Sequence, residues 1–358
     1  VTQASTAPQV VDWSAAAQIA GRLAAPGPQA PRDELDSLVS GLRGAAGDAV
    51  GHVLETTRMV PHDGNATLSP VAVVDRATWA RANTQSMAIM TDGIGAVVAE
   101  VSKGATSPGA QMAGAAEIGA VLALLSGRVL GQFDPYSGPG RLLLVAPNVL
   151  QAEQALRVPV RDFRLWVCLH EQTHALQFAA APWLSGHLSG RTQDLIAGMA
   201  RTSAELARAR FDKKVVAIGR NVLATLRGEG ATLMDGMLTH EQKGELADIT
   251  AVMALLEGHA DVMMDAVGPR VVPSVRRIRA RFERRRDGEG RNTFDVVVQK
   301  LLGMEAKLAQ YRDGAAFVRA VERTVGRDGL NAVWAAPENL PNAREIADAR
   351  AWVRRVHG

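Results

Sequence analysis

Five residues carry the most chemical information in this chain: His170-Glu171-Gln172-Thr173-His174. Side chains four apart on an α-helix lie on one face, one turn above the other. Two imidazoles placed in this way can reach a single metal ion. Glu171 projects beside them, placed to take a proton from a water that the ion activates. H-E-x-x-H on a helix is therefore the core of a zinc site suited to hydrolysis. The flanking residues support the helix. Trp166, His170, His174 and Phe178 recur every four positions, and Leu165, Leu169 and Leu176 build the adjoining apolar surface. Asp162, following Pro159 and Val160, is the expected N-cap.

A catalytic zinc takes three protein ligands and keeps a position for water. The continuation Ala175-Leu176-Gln177-Phe178-Ala179-Ala180 contains no ligand, so the third must come from elsewhere. The best candidate is Glu257, in Met253-Ala254-Leu255-Leu256-Glu257-Gly258-His259-Ala260-Asp261. Glu257 and Asp261 share a helix face, and this E-x-x-x-D spacing resembles the second motif of the gluzincin metallopeptidases. The resemblance implies Glu257 as the ligand and Asp261 as the group that orients a ligating histidine through its other ring nitrogen. His259 lies two residues beyond Glu257 and points roughly 200° away on a regular helix. It reads as a buried, hydrogen-bonded histidine, with a donor to the substrate carbonyl or transition-state oxyanion as the alternative. His240, Tyr311 and Tyr136 are further candidates for that donor. The helix carrying Glu257 has its own start and stop signals. Thr239 and Gln242 fit a capping box, and Gly268-Pro269 ends the apolar periodicity.

Longer stretches extend the resemblance. They are Val73-Val74-Asp75-Arg76-Ala77-Thr78-Trp79-Ala80-Arg81-Ala82-Asn83, Leu125-Ser126-Gly127-Arg128-Val129-Leu130-Gly131-Gln132-Phe133-Asp134, Leu144-Val145-Ala146-Pro147-Asn148, Phe163 to Phe178, and Leu256-Glu257-Gly258-His259. Together they resemble the actinobacterial zincin-like metallopeptidases, a family labelled as associated with deazaflavin coenzyme biosynthesis. The resemblance runs over roughly Val71 to Gly303. It implies a mainly α, zincin-like helical metallopeptidase fold with a small β element near the active-site cleft. It also implies Zn²⁺ held by His170, His174 and Glu257, with Glu171 as catalyst.

The chain has 358 residues, read as a single domain over 1–358 with 71–303 as the metallopeptidase core and a flexible 1–10. It is 47% hydrophobic but only 4% aromatic, so Ala, Leu and Val must do the packing, and the composition favours helix. Forty basic and thirty-seven acidic residues leave a charge of +3, which is no nucleic-acid-binding composition. The local exception is the arginine-rich stretch Arg276 to Arg291, expected to be a solvated helix face paired with Glu283, Asp287 and Glu289. The lone cysteine, Cys168, excludes an intrachain disulfide and points away from the metal face. Val1 to Gln9 lacks the regions of a signal peptide, and no apolar run reads as approaching the length of a membrane span. These readings predict a soluble, cytoplasmic protein with no membrane partner.

Expected helices are Ala15–Ala24, Arg32–Thr57, Arg76–Val98, Ala110–Leu130, Phe163–Phe178, Thr192–Met199, Ala204–Leu226, Glu241–Ala266, Val275–Arg285, Phe294–Leu302, Glu305–Val325 and Ala343–Val356. Leu142–Val145 is the best strand candidate. It could pair with extended substrate or lie in the core. The chemistry to be expected is zinc-assisted hydrolysis of an amide bond in a peptide. The alternatives are a small-molecule amide as substrate, or a metal-binding scaffold closed by His259 as a fourth ligand.

Overall fold

The computed structural model describes residues 9–65, 69–102, 106–209, 238–286 and 304–358. Its elements are α1 (Trp13–Leu23), α2 (Arg32–Thr57), β1 (Val71–Val74), α3 (Arg76–Met90), α4 (Ile94–Ser102), α5 (Pro108–Ser126), β2 (Gly131–Asp134), β3 (Arg141–Val145), α6 (Ala146–Leu156), α7 (Val160–Ala180), α8 (Trp183–Ala209), α9 (His240–Ala266), α10 (Val275–Arg286), α11 (Met304–Leu330), α12 (Ala343–Ala347) and α13 (Ala349–His357). The fold is thus mostly helical with a small three-stranded sheet.

The sheet has the order β1-β3-β2. Strand β3 runs parallel to β1, with Val71 opposite Leu142, and antiparallel to β2, with Gly131 opposite Leu144. Leu142 and Leu144 enter the large core, while Leu143 and Val145 face a smaller one with Ala20, Trp79, Ala80 and Leu122. A strand covered on both faces reads as a continuous apolar run, which is why Leu142–Val145 shows no alternation. Both edges of β3 are taken, so this segment is the core strand of the two readings. Among the described residues β2 is bonded on one side only.

The large core surrounds α7, which packs against α2, α9 and β2. Cys168 and Gln172 face α2. The Gln172 amide donates to the Ala46 carbonyl at 2.9 Å, and burial pushes the Cys168 thiol far up, leaving it inert. Helix α9 opens on the expected capping box of Thr239 and Gln242. Its close partner is α11, and the crossing is set by two glycines. A Cβ on Gly258 would lie 2.1 Å from the Gly314 carbonyl carbon, and one on Gly314 would lie 1.8 Å from the Ala254 oxygen. Backbone meets backbone there, and no side chain can give way. Gly258→Ala should gain about 1 kcal/mol of helix propensity. It should lose about 3 kcal/mol or more to the forced separation of the helices. A net loss of about 2 kcal/mol is expected, read as a lowered urea midpoint at constant slope. An unchanged midpoint would mean that the two helices separate freely.

Several expectations need correction. The helix expected over Arg76–Val98 is broken at Thr91–Gly93, where Gly93 takes a φ of +85°. The one expected over Ala110–Leu130 stops at Ser126 so that β2 can form, and β1, β2 and α6 were not foreseen. Asp162 is not the N-cap of α7. The helix starts three residues earlier, at Val160 behind Pro159, and the Asp162 carboxylate accepts from Ser274 N and Oγ at 2.8 and 2.6 Å. Helix α5 is, by length and composition alone, long and apolar enough to cross a membrane, contrary to the reading of its sequence. It packs against α1 and α3 through small residues such as Gly119. Helix α8 runs unbroken through the expected Thr192–Met199 and the described start of the expected Ala204–Leu226. Phe294–Leu302, most of Ala204–Leu226 and most of the 1–10 segment lie outside the described residues.

The arginine-rich stretch is a solvated face only in part, with Arg276, Arg277 and Arg284 exposed and other members bonded to the protein. Arg281 donates to the Leu156 and Arg157 carbonyls at 2.5 and 2.8 Å, at the exposed end of α6. Arg279 is turned into the protein, against α9. The expected partners Asp287 and Glu289 lie outside the described residues.

Candidate metal centre

Helices α7 and α9 lie antiparallel across the core. Trp166 meets Asp265 at one end, and Gln177 meets Leu256 at the other. Between these two contacts the ligand candidates converge. His170 Nε2 and His174 Nε2 are 3.2 Å apart. Glu257 Oε2 lies 3.4 Å from the first and 3.6 Å from the second. Two ligands about 2.1 Å from a tetrahedral zinc are separated by about 3.4 Å. The three atoms therefore already form one face of a zinc tetrahedron. Their side chains are 21%, 13% and 19% exposed, so none of the three is fully closed off from solvent. Among the described residues this is a group that could hold a metal ion, with three protein ligands.

Glu171 sits beside this triangle, buried against β2. A Cβ on Gly131 would come within 2.6 Å of Glu171 Cγ and 2.8 Å of Cδ and Oε1. The missing side chain at Gly131 is what makes room for the carboxylate. Burial raises the Glu171 carboxyl above its ordinary range. His170 and His174 pull it back, and Glu257 adds a further rise. A dication in the triangle would pull in the same direction as the histidines. Gly131→Ala should displace Glu171 while leaving all three ligand atoms in place. Small displacements of a reacting group cost on the order of 10²-fold in rate. The expected outcome is a variant with a full zinc content and a hydrolytic rate reduced by about that factor. A variant with wild-type turnover would show that the Glu171 position does not matter.

His174 is held from behind. Its Nδ1 faces Gln177 Oε1 at 2.9 Å, and the Gln177 amide nitrogen reaches Leu256 O at 2.9 Å and His259 Nδ1 at 3.0 Å. In the absence of metal, burial alone would depress the His174 imidazole. The carboxylates of Glu257 and Glu171 outweigh it and push the group up to about 9. The Glu257 carboxylate is burdened by burial but held well below its usual range by the two histidines.

One expected role is not met by this arrangement, that of Asp261. Asp261 makes no bond to a ligating histidine. Its Oδ1 accepts from Arg279 at 2.6 Å, and the same guanidinium reaches Asp265 Oδ2 at 2.8 Å while lying over the Trp166 ring. Asp261 thus helps to lock α10 onto the ligand helices. The other ring nitrogen of His170 is buried with no hydrogen-bond partner. His259 is completely buried, and its ring packs edge-on against Trp334. Burial first, then His174 and Arg327, drive it down to about 3, so it is neutral. This is the buried, hydrogen-bonded histidine of the two readings. A ring with no exposed surface presents nothing to a substrate, and it does not join the ligand group as a fourth member.

Of the other donor candidates, His240 begins α9, seventeen residues and therefore about 25 Å from Glu257 along the helix. The Tyr311 side chain lies outside the described residues. Tyr136 lies in the β2–β3 turn, its hydroxyl pushed up to about 12 by burial and Asp134. The sequence reading missed Gln177 and Gly131. Gln177 had a legible signal, since it falls three residues after His174 and therefore on the same helix face. Gly131 had none, because its role depends on a strand that the periodicity concealed.

A family model for zincin-like metallopeptidases matches residues 11–353, nearly the whole chain. The protein belongs to the zincin-like metallopeptidase family. The match reaches beyond the 71–303 segment that carries the sequence resemblance. Membership in this family implies zinc as the metal, in agreement with the ligand triangle. No curated protein matches the chain. Among solved structures, a Chloroflexus aurantiacus protein provisionally described as a hydrolase with a novel fold is similar at 27% identity, with a TM-score of 0.63, over 96% of this chain and 98% of that one. A zinc-dependent hydrolase is the activity to which the family and this neighbour point.

Proposed function

We propose that this zincin-like protein is a metallopeptidase that cleaves peptide amide bonds, with His170, His174 and Glu257 as zinc ligands and Glu171 as general base and acid. The observation that carries the reading is the ligand triangle, with edges of 3.2, 3.4 and 3.6 Å, and a buried carboxylate at its side. Zinc bound there would supply a Lewis acid and lower the pKa of water toward neutrality. Glu171 takes the proton from the attacking water and returns it to the leaving nitrogen. Burial raises its carboxyl above the ordinary range, the direction that makes a carboxylate a better proton acceptor. The three ligand side chains are partly exposed, as approach of a substrate carbonyl requires.

A peptide fits better than a compact amide because of β2. The strand passes Glu171 at Gly131 and is paired on one side only among the described residues. An extended peptide can add to such an edge by main-chain hydrogen bonds. The test is elemental analysis of protein purified without chelator, followed by exposure of the zinc-loaded protein to a peptide library read by mass spectrometry. One zinc per chain and cleavage that stops with a chelator and resumes with added zinc are expected. A zinc-loaded protein that cuts no peptide would sink the peptidase reading.

A further inference from the structure

The geometry points to Gln177 as the residue that positions the metal site, by fixing the His174 ring and by tying the helix of the two histidines to the helix of Glu257. This inference rests on the reading of His170, His174 and Glu257 as zinc ligands. The three hydrogen bonds of the Gln177 amide leave one arrangement. Leu256 O can only accept, so the Gln177 nitrogen must be the atom 2.9 Å from it. The second N–H of that nitrogen points to His259 Nδ1 at 3.0 Å, which must then carry the lone pair. The Gln177 oxygen is left facing His174 Nδ1 at 2.9 Å, so that this ring nitrogen carries a proton. His174 Nε2 is then the nitrogen free to bind metal, and it is the one at the triangle. Zinc-ligating histidines commonly have this proton taken by a carboxylate or a backbone carbonyl. Here a neutral amide takes it, while Asp261, at the expected spacing, is occupied by Arg279.

The two anchors of the amide, Leu256 and His259, bracket Glu257 on α9. One side chain from α7 therefore sets both the direction of a ligand on its own helix and the register of the third ligand on the other. All of Gln177 is buried, and each of its polar atoms is used. His170 has no comparable partner, so the loss of Gln177 would leave neither histidine oriented from behind. His259 acts at one remove, as the acceptor that keeps the amide from turning over. Both are positioning residues, and neither touches the reacting atoms.

The test is zinc affinity by competition with a chromogenic chelator, together with the imidazole N–H signals of the zinc-loaded protein by NMR. Gln177→Met keeps the length and removes the bonds, and it should weaken zinc binding about tenfold to a hundredfold. His259→Leu should weaken it by a smaller factor. His259→Asn places an amide oxygen where Nδ1 was and should restore affinity to within about twofold of wild type, as a restored acceptor requires. Zinc-loaded wild type should show a slowly exchanging His174 Nδ1–H signal that Gln177→Met lacks. That signal is read on the wild type alone, so a variant that fails to fold does not remove the test. Absence of a protected His174 Nδ1–H in zinc-loaded wild type would overturn the inference. So would unchanged affinity in Gln177→Met and His259→Leu. A wild type that takes up no zinc would instead overturn the reading of the site, and this inference with it.

Discussion

Glu171→Gln should bind one zinc per chain and lose hydrolysis by a factor of about 10² to 10⁴, the range that general acid–base catalysis contributes. The substitution is close to isosteric, and the carboxylate it removes is not among the three ligand atoms. The amide has the shape of the carboxylate and can occupy the same space beside Gly131. What disappears is the ability to hold a proton between two steps. The charge also disappears. Glu171 is buried next to Glu257, and each carboxylate raises the cost of ionising the other. Neutralising Glu171 relieves that repulsion, so zinc affinity should hold or change little. Paired measurements of zinc content and peptide cleavage separate the two effects. Turnover within a factor of a few of wild type would mean that the base is another group, and the mechanism would fail.

The site was more legible in the sequence than the fold that holds it. H-E-x-x-H and E-x-x-x-D are local patterns on single helices, and helical periodicity places their members on one face whatever the rest of the chain does. His170, His174 and Glu257 come together as that reasoning required. Asp261 shows its limit. Spacing puts the carboxylate on the Glu257 face, but which group it meets is decided by Arg279 from a third helix, and no local pattern announces that. The same holds for β2 and β3. A buried central strand has no alternation, and β2 is four residues beginning with the glycine that accommodates Glu171. Gly258, beside the third ligand, leaves α9 an unbroken helix and serves the crossing with α11.

Removal of the third ligand should have the other large effect. Glu257→Ala leaves two neutral nitrogens 3.2 Å apart and takes away the anion that faces both. Loss of an outer partner costs zinc sites about ten- to a hundredfold in affinity, and loss of a ligand should exceed that. The variant should therefore be purified free of zinc and remain inactive at zinc levels that saturate wild type. The same carboxylate has a second signature in the zinc-free protein. Glu257 is the main group that lifts His174 to about 9, against burial that lowers it. A histidine raised in the folded state stabilises it fully below the unfolded value near 6.5, and that contribution is lost as pH rises through about 9. Zinc-free wild type should accordingly lose thermal stability between those limits. In Glu257→Ala the main group that raises His174 is gone, and this loss should shrink. Calorimetric melting of both zinc-free proteins from pH 6 to 10 reads the difference. Parallel curves would show that Glu257 and His174 are not in contact, and the ligand triangle would have to be redrawn.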